Sequence, residues 1–314
     1  MIGTINTKKQ PPFLVKLLSF LIILFFLDLS IGNLLKNFYF KQDSGLLYRS
    51  TYAMDSTRAD ILIFGSSTAN HHYVPELFDK ELHLTCYNTG RDGNSILYSY
   101  GILQGVLKRY TPQTIILDVY DHEFMKDQES YDRIASLLPY YESHPGIRPI
   151  VRLKSPFEKY KLLSKIYPYN SMLFTIAVGN ADFNRDRALV NDQNGYVPLI
   201  NTWKGPLILD SSHVNYELDN TKINIFRSFI SDCRRSNIRL YVFLSPKFIQ
   251  YEHEDTTVAI VNKIAGEYGI PFYDFTNDSF FLNRRELYFD KDHLNDEGAK
   301  IYTSMVINKI VRDR

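Results

Sequence analysis

Three short segments, far apart in the chain, carry residue types that belong together in acyl-transfer chemistry. The first is Gly65-Ser66-Ser67-Thr68, directly after the apolar run Ile61-Leu62-Ile63-Phe64. A serine at a tight turn from strand to helix holds its hydroxyl at the mouth of a sheet and its amide at a helix start. Both features suit a nucleophile whose tetrahedral intermediate needs N–H donors. The second segment is Asn88-Thr89-Gly90-Arg91-Asp92-Gly93, where glycine lets a backbone N–H come close to a ligand. The third is Asp290-Lys291-Asp292-His293-Leu294-Asn295. An aspartate three residues ahead of a histidine accepts a hydrogen bond from one ring nitrogen and leaves the other free as a base. Taken singly, the serine turn reads equally as a helix cap, and the glycines as a plain turn.

The elements that must bring these segments together alternate in type. Short apolar runs at 61–64, 84–87, 114–119, 240–244 and 271–275 read as buried strands. Ile96, Tyr100, Leu103, Leu107 and Tyr110 recur at helical spacing, with Asn94 or Ser95 as the cap. A last helix is expected over 298–311, with Tyr302, Val306 and Ile310 on one face. Continuously apolar strands separated by helices indicate a parallel sheet covered on both faces, so the expected fold class is α/β. Ligands in such sheets sit at the carboxyl ends of the strands. Between Lys126 and His213 the alternation breaks into a Tyr- and Pro-rich stretch, including Pro139-Tyr140-Tyr141 and Tyr167-Pro168-Tyr169. It is too long for a plain connection and reads as an inserted, partly helical subdomain at about 126–213, over the strand ends.

In order and spacing the three segments resemble the SGNH (GDSL-type) serine hydrolases and acyltransferases, from Asp60 to Val311 with the middle stretch outside the match. The resemblance implies a flavodoxin-like three-layer sheet. It also implies a nucleophile at Ser67, an oxyanion-hole glycine at Gly93, an orienting acid at Asp290 and a base at His293. One block departs from the family pattern. An Asn that usually follows the third strand is missing, and Tyr120-Asp121-His122-Glu123 stands there instead. His122, or Asn70 one turn beyond Ser67, is left as the candidate third oxyanion donor.

Other candidates carry less. His71 and His72 are adjacent and point to different faces of a helix, which favours a site-rim or surface pair over a shared metal. Asp118, Asp121 and Glu123 form an acidic cluster at a strand end, without further ligand spacing to suggest a cation site. No cofactor or metal pattern is legible. Cys86 and Cys233 are the two cysteines, enough for one bridge or none.

Composition and the N-terminus bound the setting. The chain has 314 residues, 45% hydrophobic and 23% charged, with a formal charge of +1. That is a folded protein without the basic excess of a phosphate-neutralising nucleic-acid binder. Lys8, Lys9 and Lys16 precede an apolar run from Leu17 to Leu27 that continues more weakly to Leu35. A helix over 13–35 would measure about 34 Å, enough to cross a hydrocarbon core of about 30 Å. The expectation is an uncleaved anchor over 1–36 with its N-terminus in the cytoplasm and residues 37–314 outside. A cleaved signal peptide, with Ser30 and Gly32 as small residues near the cut, is the rival. Resemblance and location together imply serine-dependent transfer of O-acyl groups to, or their removal from, cell-envelope or extracellular polysaccharide. The partners would be an acyl-ester donor and a carbohydrate. The rivals are a catalytically idle polysaccharide-binding or assembly protein on the same fold, and a lipid-directed esterase.

Overall fold

Strand β1 (Ile61–Phe64) is buried along its whole length, so both of its faces need apolar cover. Alternate side chains meet that need in opposite directions. Leu62 and Phe64 enter one apolar cluster, and Ile61 and Ile63 another. Four more strands join it in a computed structural model that describes residues 12–181, 193–211 and 216–313. They are β2 (Cys86–Asn88), β3 (Thr114–Asp118), β5 (Arg239–Leu244) and β7 (Phe272–Asp274), in the order β2-β1-β3-β5-β7. Every pairing in this sheet is parallel. A separate two-stranded parallel ribbon pairs β4 (Ile208–Asp210) with β6 (Ile249–Tyr251); the sequence carries too short an apolar signal there to announce it.

The chain is therefore α/β around a five-stranded sheet, as the alternation of runs implied. The boundaries shift where side chains compete for the backbone. β2 begins two residues later than the apolar run because the Thr85 N–H and hydroxyl donate to Asp60 Oδ2, at 3.0 and 2.7 Å.

The helices used below are α1 (Phe13–Phe40), α2 (Gly45–Asp55), α3 (Ser67–His72), α4 (Pro75–Leu82), α5 (Ile96–Leu107), α6 (Asn220–Arg235), α7 (Thr256–Tyr268) and α8 (Asp296–Arg312). Ser95, not Asn94, caps α5 by accepting from the Leu97 N–H. α8 starts earlier than its apolar face suggested, because Asn295 Oδ1 accepts the Gly298 N–H at 3.0 Å and opens the helix there.

Register sets the site. Phe64 lies opposite Leu117, so the turn after β1 runs beside the end of β3. Gly65 sits there at φ +147°, and a Cβ on it would lie 2.4 Å from the Asp118 carbonyl oxygen. Only glycine allows the two strand ends to come this close.

The Tyr- and Pro-rich stretch folds as short helical turns between Gln128 and Gly179. Its span from 126 to 213 crosses 182–192 and 212–213, which lie outside the described residues. Leu137, Leu138, Ile147, Ile150 and Val151 are buried in the same apolar cluster as Leu62 and Phe64. These residues of the stretch thus pack alongside α5, while Met125, Glu129 and Arg133 lie beside Gly93 at the strand ends. A Cβ on Gly101 of α5 would lie 2.4 Å from Leu137 Cδ1, a measure of how tightly the two are joined.

α1 is 28 residues long, about 42 Å as a helix, and an 18-residue window in it has a mean hydropathy of 2.4 with none of it buried. Length and composition fit a single-pass membrane protein. Lys8 and Lys9 lie outside the described residues. The helix runs without a break past Lys36: Tyr39 is buried, and its hydroxyl donates to the Tyr140 hydroxyl at 3.0 Å.

Candidate active site

Ser67 is the first residue of α3, immediately beyond the turn that Gly65 makes possible. His293 comes from the loop before α8, 226 residues away, and its Nε2 lies 2.8 Å from Ser67 Oγ. His293 Nδ1 lies 3.0 Å from both oxygens of Asp290. With the proton on Nδ1 donated to Asp290, Nε2 presents its lone pair to the serine hydroxyl. Asp290 Oδ1 also accepts the backbone N–H groups of Asp292 and His293, each at 2.8 Å. Burial pushes the Asp290 carboxyl up, but the hydrogen bonds from His293 and these amides outweigh it, leaving the group below the usual carboxylate range. It is ionised wherever the imidazole needs an anion.

The loop bearing His293 is tied down on several sides. His72 is fully buried, and its Nε2 accepts the Leu294 N–H at 2.9 Å. Burial, reinforced by the neighbouring His293, holds the His72 imidazole well below its ordinary value and so neutral. Phe248 N–H donates to the Lys291 carbonyl at 2.8 Å. Lys247 pairs with Asp121 on one side and reaches Asp292 at 3.5 Å on the other. His71 Nδ1 donates to the Val197 carbonyl at 2.7 Å, and its Nε2 lies 3.3 Å from Asp92. Its ring stands edge-on to that of His293, with centroids 5.6 Å apart. The histidine pair does face two ways, as adjacent helical residues must. It is buried against the third histidine rather than exposed on the surface.

Gly93 faces Ser67's neighbour across a pocket of about 260 Å³ that is also lined by Ser66, Tyr120, His122, Met125 and Glu129. It adopts φ +68°, and a Cβ on it would lie 2.5 Å from the Arg133 guanidinium carbon. Arg133 is held over the glycine by Glu129, with Nε 2.9 Å from Oε1. Among the described residues, neither the Ser67 nor the Gly93 N–H is used in a hydrogen bond, which leaves both available to an oxyanion. Neither candidate for the third donor is free in the same way. The Asn70 amide donates to Asp92 at 2.7 Å while its oxygen accepts from Arg49 at 2.8 Å. The His122 ring nitrogens each lie 3.6 Å from a carboxylate, Asp121 and Asp255, and the pairing with Asp121 raises the imidazole above its ordinary value.

The three acidic residues at the end of β3 do not converge. Asp118 accepts from the Tyr73 hydroxyl at 3.1 Å and the Ser245 hydroxyl at 3.0 Å. Glu123 accepts the Ile96 N–H at 2.8 Å, at the start of α5. Asp121 is taken up by Lys247 and by the Tyr251 hydroxyl. Among the described residues no group of His, Cys, Asp and Glu is placed to hold a metal ion. Cys86 and Cys233 are both buried and free, and burial pushes both thiols up.

Burial pushes the Asp118 carboxyl up to about 7 and the Glu123 carboxyl up to about 8. The folded chain therefore holds protons that the unfolded chain has lost above about pH 4. Folding binds protons across that window, so these two groups make stability fall as pH rises toward 8. Asp118→Asn is expected to gain thermal stability relative to the wild type progressively between pH 4 and about 7. A difference in Tm that stays constant over that range would contradict the assignment.

No model of a known protein family and no curated protein matches this chain. The site therefore stands on its own geometry. Some of that geometry has a faint signal in the sequence: Lys247 follows Ser245-Pro246 at the end of β5, where parallel sheets place ligands. Arg133 had none, since nothing in its neighbourhood announces contact with residue 93.

Proposed function

We propose that the chain is a serine-dependent esterase or O-acyltransferase of the SGNH type. The observation that carries this reading is the hydrogen-bonded series Ser67–His293–Asp290 at the carboxyl end of β1, next to two uncommitted N–H groups. His293 Nε2 takes the Ser67 proton as Oγ attacks an ester carbonyl, and Asp290 stabilises the imidazolium that forms. The carbonyl oxygen becomes an oxyanion that the Ser67 and Gly93 N–H groups receive. The intermediate collapses to an acyl-serine as His293 returns the proton to the departing alkoxide. Water or an acceptor hydroxyl then repeats the sequence, with His293 again as base, and carries the acyl group away.

The strand order of the sheet supports this reading. Counting its five strands in chain order gives 2-1-3-4-5, the doubly wound order of flavodoxin-like folds. On this reading the stretch between β3 and α6 is an insertion into a three-layer frame. Lys16 before the apolar window favours a cytoplasmic N-terminus and a catalytic domain outside. An exported, tethered enzyme of this kind meets O-acylated polysaccharide of the cell envelope, and the carbohydrate is its acceptor or substrate.

A serine-reactive phosphonate is expected to form one adduct, mapped by mass spectrometry to Ser67, and to abolish cleavage of a chromogenic acetyl ester. An adduct on Ser66 instead would displace the nucleophile by one residue. No adduct and no ester cleavage would leave a polysaccharide-binding protein on a hydrolase frame.

A further inference from the structure

We infer that residues 157–174 form a second membrane-contacting element, seated in the interfacial layer of the bilayer that α1 crosses. The inference rests on the reading of α1 as a membrane span, and it goes beyond an anchor followed by a free domain.

The first observation is the treatment of Asp28. It is the lone acidic residue in α1, 15 residues and so about 23 Å beyond Phe13. An unpartnered carboxylate at that depth is costly, which makes such residues rare in spans unless the protein itself satisfies them. Here the partners come from the stretch after β3. Ser164 Oγ donates to Asp28 at 2.5 Å, the Lys165 N–H at 2.7 Å and the Ile166 N–H at 3.3 Å. One turn further on, a Cβ at Gly32 would lie 2.4 Å from the Lys165 carbonyl carbon. The two backbones touch about 29 Å from Phe13, near the far limit of a hydrocarbon core about 30 Å thick. A segment fixed to α1 at these two levels is held at the far edge of the hydrocarbon core, where it borders the lipid headgroups.

The second observation is what that segment exposes. Phe157, Tyr160 and Leu163 precede the contact, and Leu173 and Phe174 follow it. All five are exposed, Leu163 to 76% and Phe174 to 81%. Such a set in water marks an interaction surface. The helix over Leu173–Gly179 packs against α1, so the set lies beside the apolar span, which identifies the occupant as lipid. The residue types agree: aromatic side chains favour the interface, and Lys159, whose Nζ lies 4.7 Å from the Tyr160 ring centre, brings a cation to the level of lipid phosphates. Two contacts with the bilayer, α1 and this face, fix the height and tilt of the domain above the surface. Ser67 then meets membrane-borne partners at one distance instead of sweeping through all orientations.

The test uses the full chain in lipid vesicles of mixed phosphatidylcholine and phosphatidylglycerol. Phe157→Cys, Leu163→Cys and Phe174→Cys are each labelled with an environment-sensitive fluorophore. Leu21→Cys reports the core of the span, Lys300→Cys on α8 reports water, and the wild-type chain, with Cys86 and Cys233 buried, sets the labelling background. Quenching at 157, 163 and 174 by lipids carrying a shallow spin label and at 21 by lipids carrying a deep one, with none at 300, is the expected result. Water-like, unquenched emission at all three with Leu21 quenched would overturn the inference and leave the span intact. A blue-shifted but unquenched signal would overturn it too, by showing that protein covers the face. Loss of quenching at position 21 as well would remove the membrane span and this inference together.

Discussion

Ser67→Ala and His293→Ala are each expected to lower kcat for ester cleavage by about four to six orders of magnitude, and the double variant no further. The non-additivity follows from the geometry. At 2.8 Å the imidazole nitrogen and the serine oxygen act as one unit, so removing either member removes the proton transfer and the attack together. What survives on the proposed mechanism is stabilisation of the oxyanion by the Ser67 and Gly93 amides, which neither substitution deletes. Both side chains sit at the edge of the fold rather than in its core, so folding should be retained; circular dichroism and an unchanged unfolding midpoint would check this. Full activity in Ser67→Ala, or losses that multiply in the double variant, would show that the pair does not work as a unit.

Asp290→Asn should cost about four orders of magnitude in kcat, with a smaller change in KM. The reason is the tautomer. The aspartate accepts at both oxygens, from His293 Nδ1 and from the amides of residues 292 and 293. An asparagine in its place presents an NH2 group, and turning that group toward His293 moves the ring proton to Nε2. The serine then faces a donor instead of a base. The loss should shrink at high pH, where hydroxide begins to replace the general base, and a pH–rate profile separates this from simple misfolding. An Asp290→Asn enzyme with near-wild-type turnover at neutral pH would mean that His293 is oriented by its other attachments alone.

Those attachments explain why the site was only partly legible. Gly65-Ser66-Ser67, Gly93 and Asp290-x-x-His293 are local patterns. Each reports its own chemistry because the turn, the open amide and the acid–base pair are made by residues close together in the chain. His72 supports the loop through a backbone contact 222 residues away, and Lys247 spans from Asp121 to Asp292. His72 has no local pattern and Lys247 only its place just after β5, since the need for each arises only when the strand ends are side by side. Arg133 reaches Gly93 for the same reason. The Tyr- and Pro-rich stretch read as a cover over the strand ends because its composition breaks the alternation. Its buried leucines and isoleucines continue the core beside α5 while its first residues reach Gly93, and composition alone does not distinguish those two placements.

From the sequence by itself follow the α/β class, the strands of the main sheet to within two residues, the long apolar N-terminal helix and the chemical types at the candidate site. These depend on short-range periodicity, on the backbone freedom of glycine and on the acceptor–donor match of Asp290 with His293, all of which act over a few residues. The tertiary structure decided the rest: the strand order, the Ser67–His293 contact, the commitment of Asn70 and His122 to other partners, and the attachment of Asp28 to residues 164–166. Each of these is a meeting between segments that are distant in sequence. Which distant groups meet is set by strand register and by the burial of apolar faces against one another, and neither is expressed in any single stretch of the chain.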